Sequence, residues 1–271
     1  MSTPTPTFRI TSPTSGAVPI IVSVPHSGTL FPDDLADQYS PELIEFPDDT
    51  DWYVDKLYDF VPSMGITMIS AVYHRWVIDL NRNPSDQPLY NDGRIITGLC
   101  PVTTFKGEKL YKDERNSVSA NDVATRRDKY FDPYHNQLRT LLDNAIVNFG
   151  KVLLWDCHSI RQEVPSIYPK KFPDLILGDN DGFAAGNFLS ELTTKSLSTG
   201  GYSFESNFLF KGGYITRHYG KPAENVHALQ LEMTKINYMD DHQKEYDSHR
   251  SQRMRDHLRR TFEKLITILN L

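Results

Sequence analysis

Residues 152–161 read Val-Leu-Leu-Trp-Asp-Cys-His-Ser-Ile-Arg, so an unbroken apolar run passes directly into an aspartate, a cysteine and a histidine. A short continuous apolar run is the pattern of a strand covered on both faces, as in the sheet of an α/β protein. The polar residues after it then stand at the carboxyl end of that strand, where open α/β sheets gather their ligands. The same pattern occurs earlier in the chain. Val18 to Val24 is almost wholly apolar and stops at Pro25-His26-Ser27-Gly28.

Working outward, apolar runs predict further strands over 66–72, 76–80, 175–177, 202–204 and 226–233. Helical periodicity predicts helices over 50–61, 122–149, 182–198 and 241–269. Asp49 or Thr50 would cap the first of these, and Pro133 would kink or restart the second, which Gly150 stops. Residues 1–14, polar and punctuated by Pro4, Pro6 and Pro13, read as a flexible N-terminal arm. The alternation of strand and helix predicts one catalytic α/β domain over 15–271, a mixed central sheet flanked by helices. From Asn81 to Asn121 the chain is rich in Gly and Pro and lacks periodicity. A loop this long in a compact protein is usually functional, so 83–121 is a candidate lid.

Composition narrows the class of function. Lys and Arg total 29 against 35 Asp and Glu, a formal net charge of −6. That balance argues against a nucleic-acid or membrane-surface partner, which needs a basic footprint. The two cysteines, Cys100 and Cys157, exclude a disulfide scaffold and thiolate-rich zinc sites. No apolar run reaches the roughly 18 residues of a membrane span, and the N-terminus lacks a signal-peptide pattern, so the expected compartment is the cytoplasm. No Gly-x-Ser-x-Gly elbow or phosphate loop occurs.

Four polar constellations follow predicted strands: His26, Arg75 with Asn81-Arg82, His158, and Glu232. Either histidine alone is most simply a turn residue. Two strands ending in the same residue type favour a shared task, and a catalytic zinc site takes two histidines and a carboxylate. The acid would come from Asp48-Asp49-Thr50-Asp51. Asp49 and Asp51 are equivalent candidates, with Asp48 behind them because it is farther from the helix that would fix it. Aspartates there are equally at home in a first helical turn. Glu232 lies in a nearly continuous apolar stretch, where a carboxylate is costly unless paired or functional, and would serve as general base. Arg75, Arg82 and Arg217 are candidate anion binders, Arg82 with the neighbouring Asn81 amide.

These segments together resemble the N-formylglutamate amidohydrolase family. They are Val24-Pro25-His26-Ser27-Gly28, Asp49-Thr50-Asp51-Trp52, Val77-Ile78-Asp79-Leu80-Asn81-Arg82, Leu154 to Arg161, Gly212 to Gly220 and His227 to Glu232. The resemblance runs from residue 24 to about 240. It implies a zinc-carboxypeptidase-like fold with a mixed, eight-stranded-type sheet. It implies one Zn²⁺ per chain, other divalent metals being possible, and hydrolysis of N-formyl-L-glutamate to formate and L-glutamate in histidine degradation. In relatives of that fold a glutamate ligand stands three residues after the first histidine, whereas this chain has Thr29 there. By the same resemblance Arg75 polarises the carbonyl, Asn81-Arg82 grips a substrate carboxylate, Arg217 assists, and Glu232 is the base. The partner is thus a small anionic amino-acid derivative. Two alternatives compete: a metal-dependent deacylase of another N-acyl amino acid, and a metal- or amino-acid-binding protein without turnover. Oligomeric state is not legible.

Overall fold

The computed structural model describes residues 5–86, 97–112 and 118–270. Its strands are β1 (Phe8–Thr11), β2 (Ile20–Val24), β3 (Thr67–Ala71), β4 (Val152–Ile160), β5 (Leu175–Gly178), β6 (Phe204–Ser206) and β7 (Val226–Thr234). The α-helices are α1 (Asp33–Ala36), α2 (Pro41–Glu45), α3 (Val54–Leu57), α4 (Ala120–Arg126), α5 (Asp132–Phe149), α6 (Asn187–Leu197), α7 (Tyr214–Tyr219) and α8 (Ser248–Leu269). The strands form one mixed sheet of order β1-β3-β2-β4-β7-β5-β6. The central four, β3, β2, β4 and β7, are parallel. β1 joins one edge antiparallel, and β5 runs antiparallel to β7. The described sheet therefore has seven strands, where the family resemblance implies eight.

Side chains alternate across a strand, and here the alternation separates two cores. On β4, Leu153, Trp155 and Cys157 pack in the cluster that contains Leu258, Phe262 and Leu265 of α8. Val152 and Leu154 pack with Tyr134, Leu138 and Leu142 of α5 and Ile215 of α7. This second face then changes character. Asp156 and His158 follow Leu154 on β4, Gln230 and Glu232 follow Ala228 on β7, and Ser23 follows Ile21 on β2. All of these polar residues are buried. One face of the sheet is thus apolar under α5 and polar toward the strand carboxyl ends.

Several expectations need correction. Part of the predicted flexible arm is ordered: Phe8–Thr11 is β1, in register with Met68 to Ala71. Residues 76–80 form turns rather than a strand, because Asp79 is drawn into the interior by ion pairs and its N–H is taken by the Leu99 carbonyl. The helix predicted from 50 shrinks to α3 and a 3₁₀ turn over Val61–Met64. Neither Asp49 nor Thr50 caps it. The Asp51 N–H instead donates to the His26 carbonyl, at 3.0 Å, and the Thr50 hydroxyl to the Pro47 carbonyl. The helix predicted over 122–149 begins at Ala120 behind a Ser119–Asp122 capping box and passes through a π-helical stretch over Arg127–Phe131. It ends at Gly150 with φ 73°. Within the candidate lid, residues 87–96 and 113–117 lie outside the described residues.

Candidate active site

Sheet register places the first pair of functional side chains. His158 on β4 and Glu232 on β7 are direct partners across the parallel ladder. His26 lies just beyond β2, which is hydrogen-bonded to β4 on the other side. Asp51 arrives from the turn before α3, tied by its N–H to the His26 backbone. The ligand-capable atoms of His26, Asp51 and His158 fall within 4.8 Å of one another, and all three residues are buried.

Each histidine is held from behind by a carboxylate. The His26 Nε2–H donates to Asp79 Oδ1 at 2.7 Å, and the His158 Nε2–H donates to Asp156 Oδ2 at 2.9 Å. Bonding Nε2 in this way directs both Nδ1 atoms toward Asp51 Oδ2, 3.7 Å from His26 and 3.2 Å from His158. His26 Nδ1 is buried with no hydrogen-bond partner. A buried orphan nitrogen beside a buried carboxylate is costly unless a cation completes the set. Two imidazoles oriented by carboxylates, plus one acid, match the donors and the supporting shell of a catalytic zinc site. Electrostatics point the same way. Burial raises the Asp51 carboxyl, but His158 and His26 outweigh it and hold it low. Burial opposes the His158 cation, yet Asp156 and Asp51 favour it strongly. The centre attracts positive charge.

Asp49, an equivalent candidate by sequence, stands apart from this group. Its carboxylate accepts from Trp76 Nε1 at 2.8 Å and from the Phe105 N–H at 3.1 Å. It anchors the 97–112 segment to the site wall. Asp48 is likewise committed, to Arg161 and Lys106.

Glu232 is 7% exposed, and among the described residues its one side-chain hydrogen bond is a long 3.5 Å approach by Gln230 Nε2. Burial pushes its carboxyl up to about 8, with His158 opposing and Asp51 adding to the rise. A carboxylate with a pKa near neutrality beside a metal-ligand group is a poised proton acceptor. Arg75 is buried, donates to Asp79 Oδ2 at 2.7 Å and stacks its guanidinium 4.9 Å from the Phe105 ring centre. Among the described residues its other N–H groups carry no hydrogen bond.

The pair Asn81–Arg82 divides. Asn81 turns inward: Nδ2 donates to Asp156 Oδ2 at 3.2 Å and lies 2.9 Å from His158 Nε2, while Oδ1 accepts from the Ile215 N–H. In this arrangement it joins α7 to the centre instead of facing an open carboxylate pocket. Arg82 stays nearer the surface, 3.5 Å from Asp79 and donating to Thr97 Oγ1. Arg217, on α7, donates through Nε to the Gly212 carbonyl. The glycines ahead of α7 are required by space. A Cβ at Gly213 would lie 2.3 Å from Asn81 Nδ2, and Gly212 has φ +118°.

Asp79, Asp156 and Asn81 in its inward role are what sequence reasoning missed. A signal existed for Asp156. It has the same strand parity as His158, so an acid inside an apolar run shares the histidine's face.

Known proteins of similar sequence and fold point to one family. The sequence model of a family described as N-formylglutamate amidohydrolase matches residues 18–239. An N-formylglutamate deformylase of Pseudomonas putida is 41% identical over 227 residues, covering 83% of this chain and 84% of that protein. The Pseudomonas aeruginosa enzyme of the same name is 41% identical over 228 residues, with the same coverage. The crystal structure of N-formylglutamate amidohydrolase from Ralstonia eutropha JMP134 superposes with a TM-score of 0.79 at 27% identity, over 96% of this chain and 98% of that one. Family motifs, a shared fold over nearly the whole chain and a buried two-histidine, one-aspartate centre coincide, and the chain belongs to the N-formylglutamate amidohydrolase family.

Proposed function

We propose that this protein hydrolyses the formyl amide of N-formyl-L-glutamate to formate and L-glutamate, using one zinc ion held by His26, Asp51 and His158. One observation carries the reading: the orphan His26 Nδ1 converges with Asp51 and His158 beside the buried, raised-pKa Glu232. The named deformylase relatives support the choice of substrate. Zinc held by such donors polarises a carbonyl and lowers the pKa of a water to about 7.

The protein's own groups divide the remaining work. Glu232 accepts the proton of the attacking water as the C–O bond forms at the formyl carbon. It returns that proton to the amide nitrogen as the C–N bond breaks, so formate and a free amine leave. Arg75, with unspent donors, stabilises the negative charge that develops on the carbonyl oxygen. Asp79 and Asp156 fix the ring orientation of the two histidines. Arg82 and Arg217 supply cations near the substrate's α-carboxylate.

A formate-release assay on zinc-loaded and chelator-treated protein tests the proposal. Turnover of N-formyl-L-glutamate that chelation abolishes and added zinc restores is the expected result. Undiminished turnover in protein shown to be metal-free would overturn the metal-dependent reading.

A further inference from the structure

Beside the proposed metal group lies a cavity of about 230 Å³ that the assignments above leave unused. Three of the segments that deliver site residues continue into its lining. Asp48 and Asp49 precede Asp51, Ser159 to Arg161 follow His158, and Lys235 follows Glu232. Phe105, whose ring faces the Arg75 guanidinium, forms one wall. Ile160, Val164 and Pro165 make the remaining walls largely apolar.

The polar part of the lining holds a buried ammonium. Lys235 is 2% exposed, and among the described residues its ammonium has one hydrogen bond, to the Asp48 carbonyl at 3.1 Å. An ammonium has three donors, so two are left without protein acceptors in a buried position. Leaving charged donors unsatisfied is costly unless an anion is received there. Arg161 and Lys106 line the same cavity, both paired with the one Asp48 carboxylate. These three cations stand with the Asp48, Asp49 and Glu163 carboxylates in the same lining, so the attraction for an anion rests on the two unspent Lys235 donors and not on net charge. An apolar slot with an unspent ammonium in its lining fits a short methylene chain that carries a carboxylate.

We propose that this cavity receives the side-chain carboxylate of the substrate, anchored by the Lys235 ammonium and flanked by Arg161. The assignment rests on the reading of the chain as a hydrolase of N-formyl amino acids, and it makes Lys235 the residue that selects a dicarboxylic substrate. The methylenes of the glutamyl side chain lie along Phe105, Val164 and Pro165.

Steady-state kinetics with three substrates test it. Wild-type protein should prefer N-formyl-L-glutamate over N-formyl-L-glutamine, which is isosteric but uncharged, and over N-formylglycine, which has no side chain. Lys235→Met keeps the aliphatic stem and removes the charge. It should raise KM for N-formyl-L-glutamate about 10- to 100-fold while leaving KM for N-formyl-L-glutamine nearly unchanged. Pro165→Trp, at an exposed position of the lining, guards against misfolding of the lysine variant. It should impair N-formyl-L-glutamate and spare N-formylglycine. Unchanged glutamate-over-glutamine preference in Lys235→Met, with the wild type active, would overturn the subsite and leave the functional proposal standing. Zinc-loaded wild type inactive on all three substrates would overturn both.

Discussion

At the scale of single residues, the site depends on which nitrogen or oxygen is already spent. Asp49 and Asp51 are two positions apart and chemically identical, yet Asp49 is occupied by Trp76 and Phe105 while Asp51 faces two Nδ1 atoms. With zinc held as proposed, Asp51→Asn should therefore lose most of the metal, and Asp49→Asn should retain it. Elemental analysis showing equal zinc in both variants would remove Asp51 from the ligand set. Glu232 differs from both, because its proposed role is to move a proton rather than to hold a cation. Glu232→Gln keeps the shape of the side chain but cannot accept a proton, so kcat should fall about 10²- to 10⁴-fold with zinc content unchanged. Zinc loss in that variant would make Glu232 a ligand, and near-normal turnover would end its assignment as base.

At the scale of elements, the carboxyl ends of β2, β4 and β7 bring distant residues together, and the turn over residues 76–82 braces them from one side. Asp79 receives the His26 ring, the Arg75 guanidinium and the Asn81 N–H, so one buried acid orients three proposed site residues. Asp79→Asn preserves size but weakens each of those charge-assisted bonds. Loss of such a supporting carboxylate typically costs about 10- to 100-fold in metal affinity. Competition with a chromophoric chelator measures this directly, and wild-type affinity in the variant would show that the turn does not orient His26. Asn81, expected with Arg82 to grip a substrate carboxylate, meets a similar competition. Beside Arg82 in a loop its amide looks available, but α7 presents the Tyr214 and Ile215 N–H groups to Asn81's own oxygens.

At the scale of the whole molecule, Asp48 links segments far apart in the chain. Its carboxylate pairs with Arg161 beyond β4 and with Lys106 from the long loop, and its carbonyl receives Lys235 beyond β7. Burial raises the Asp48 carboxyl, but the bonds from Arg161 and Lys106 outweigh it and lower it from 3.8 to about 2. A depressed folded-state pKa means the unfolded chain binds the proton more readily between those values. The link's contribution to stability is therefore full above about pH 4 and is lost as pH falls toward about 2. The Tm difference between wild type and Asp48→Asn should narrow over that interval. A constant difference from pH 7 to pH 2.5 would mean that the ionised carboxylate contributes nothing to holding these segments.

Local chemistry determined much of this protein before any folding was considered. Unbroken apolar runs ending in histidine announced buried strands of an α/β sheet, because only a strand covered on both faces tolerates such a run. The long amphipathic repeats marked α5 and α8, since a 3.6-residue period needs no distant partner to be read. The same patterns marked His26, His158 and Glu232, each at or just beyond a strand end. What only the tertiary structure decided were questions of competition. Residues 76–80 carry strand-like composition, but a buried Asp79 with three partners outweighs that local preference and imposes turns. Phe8–Thr11 reads as a loose polar arm, yet the open edge of β3 supplies the backbone partners that make it a strand. Whether an aspartate caps a helix, steadies a histidine or faces a cation depends on which donors arrive from elsewhere in the chain, and spacing along one sequence carries no record of that.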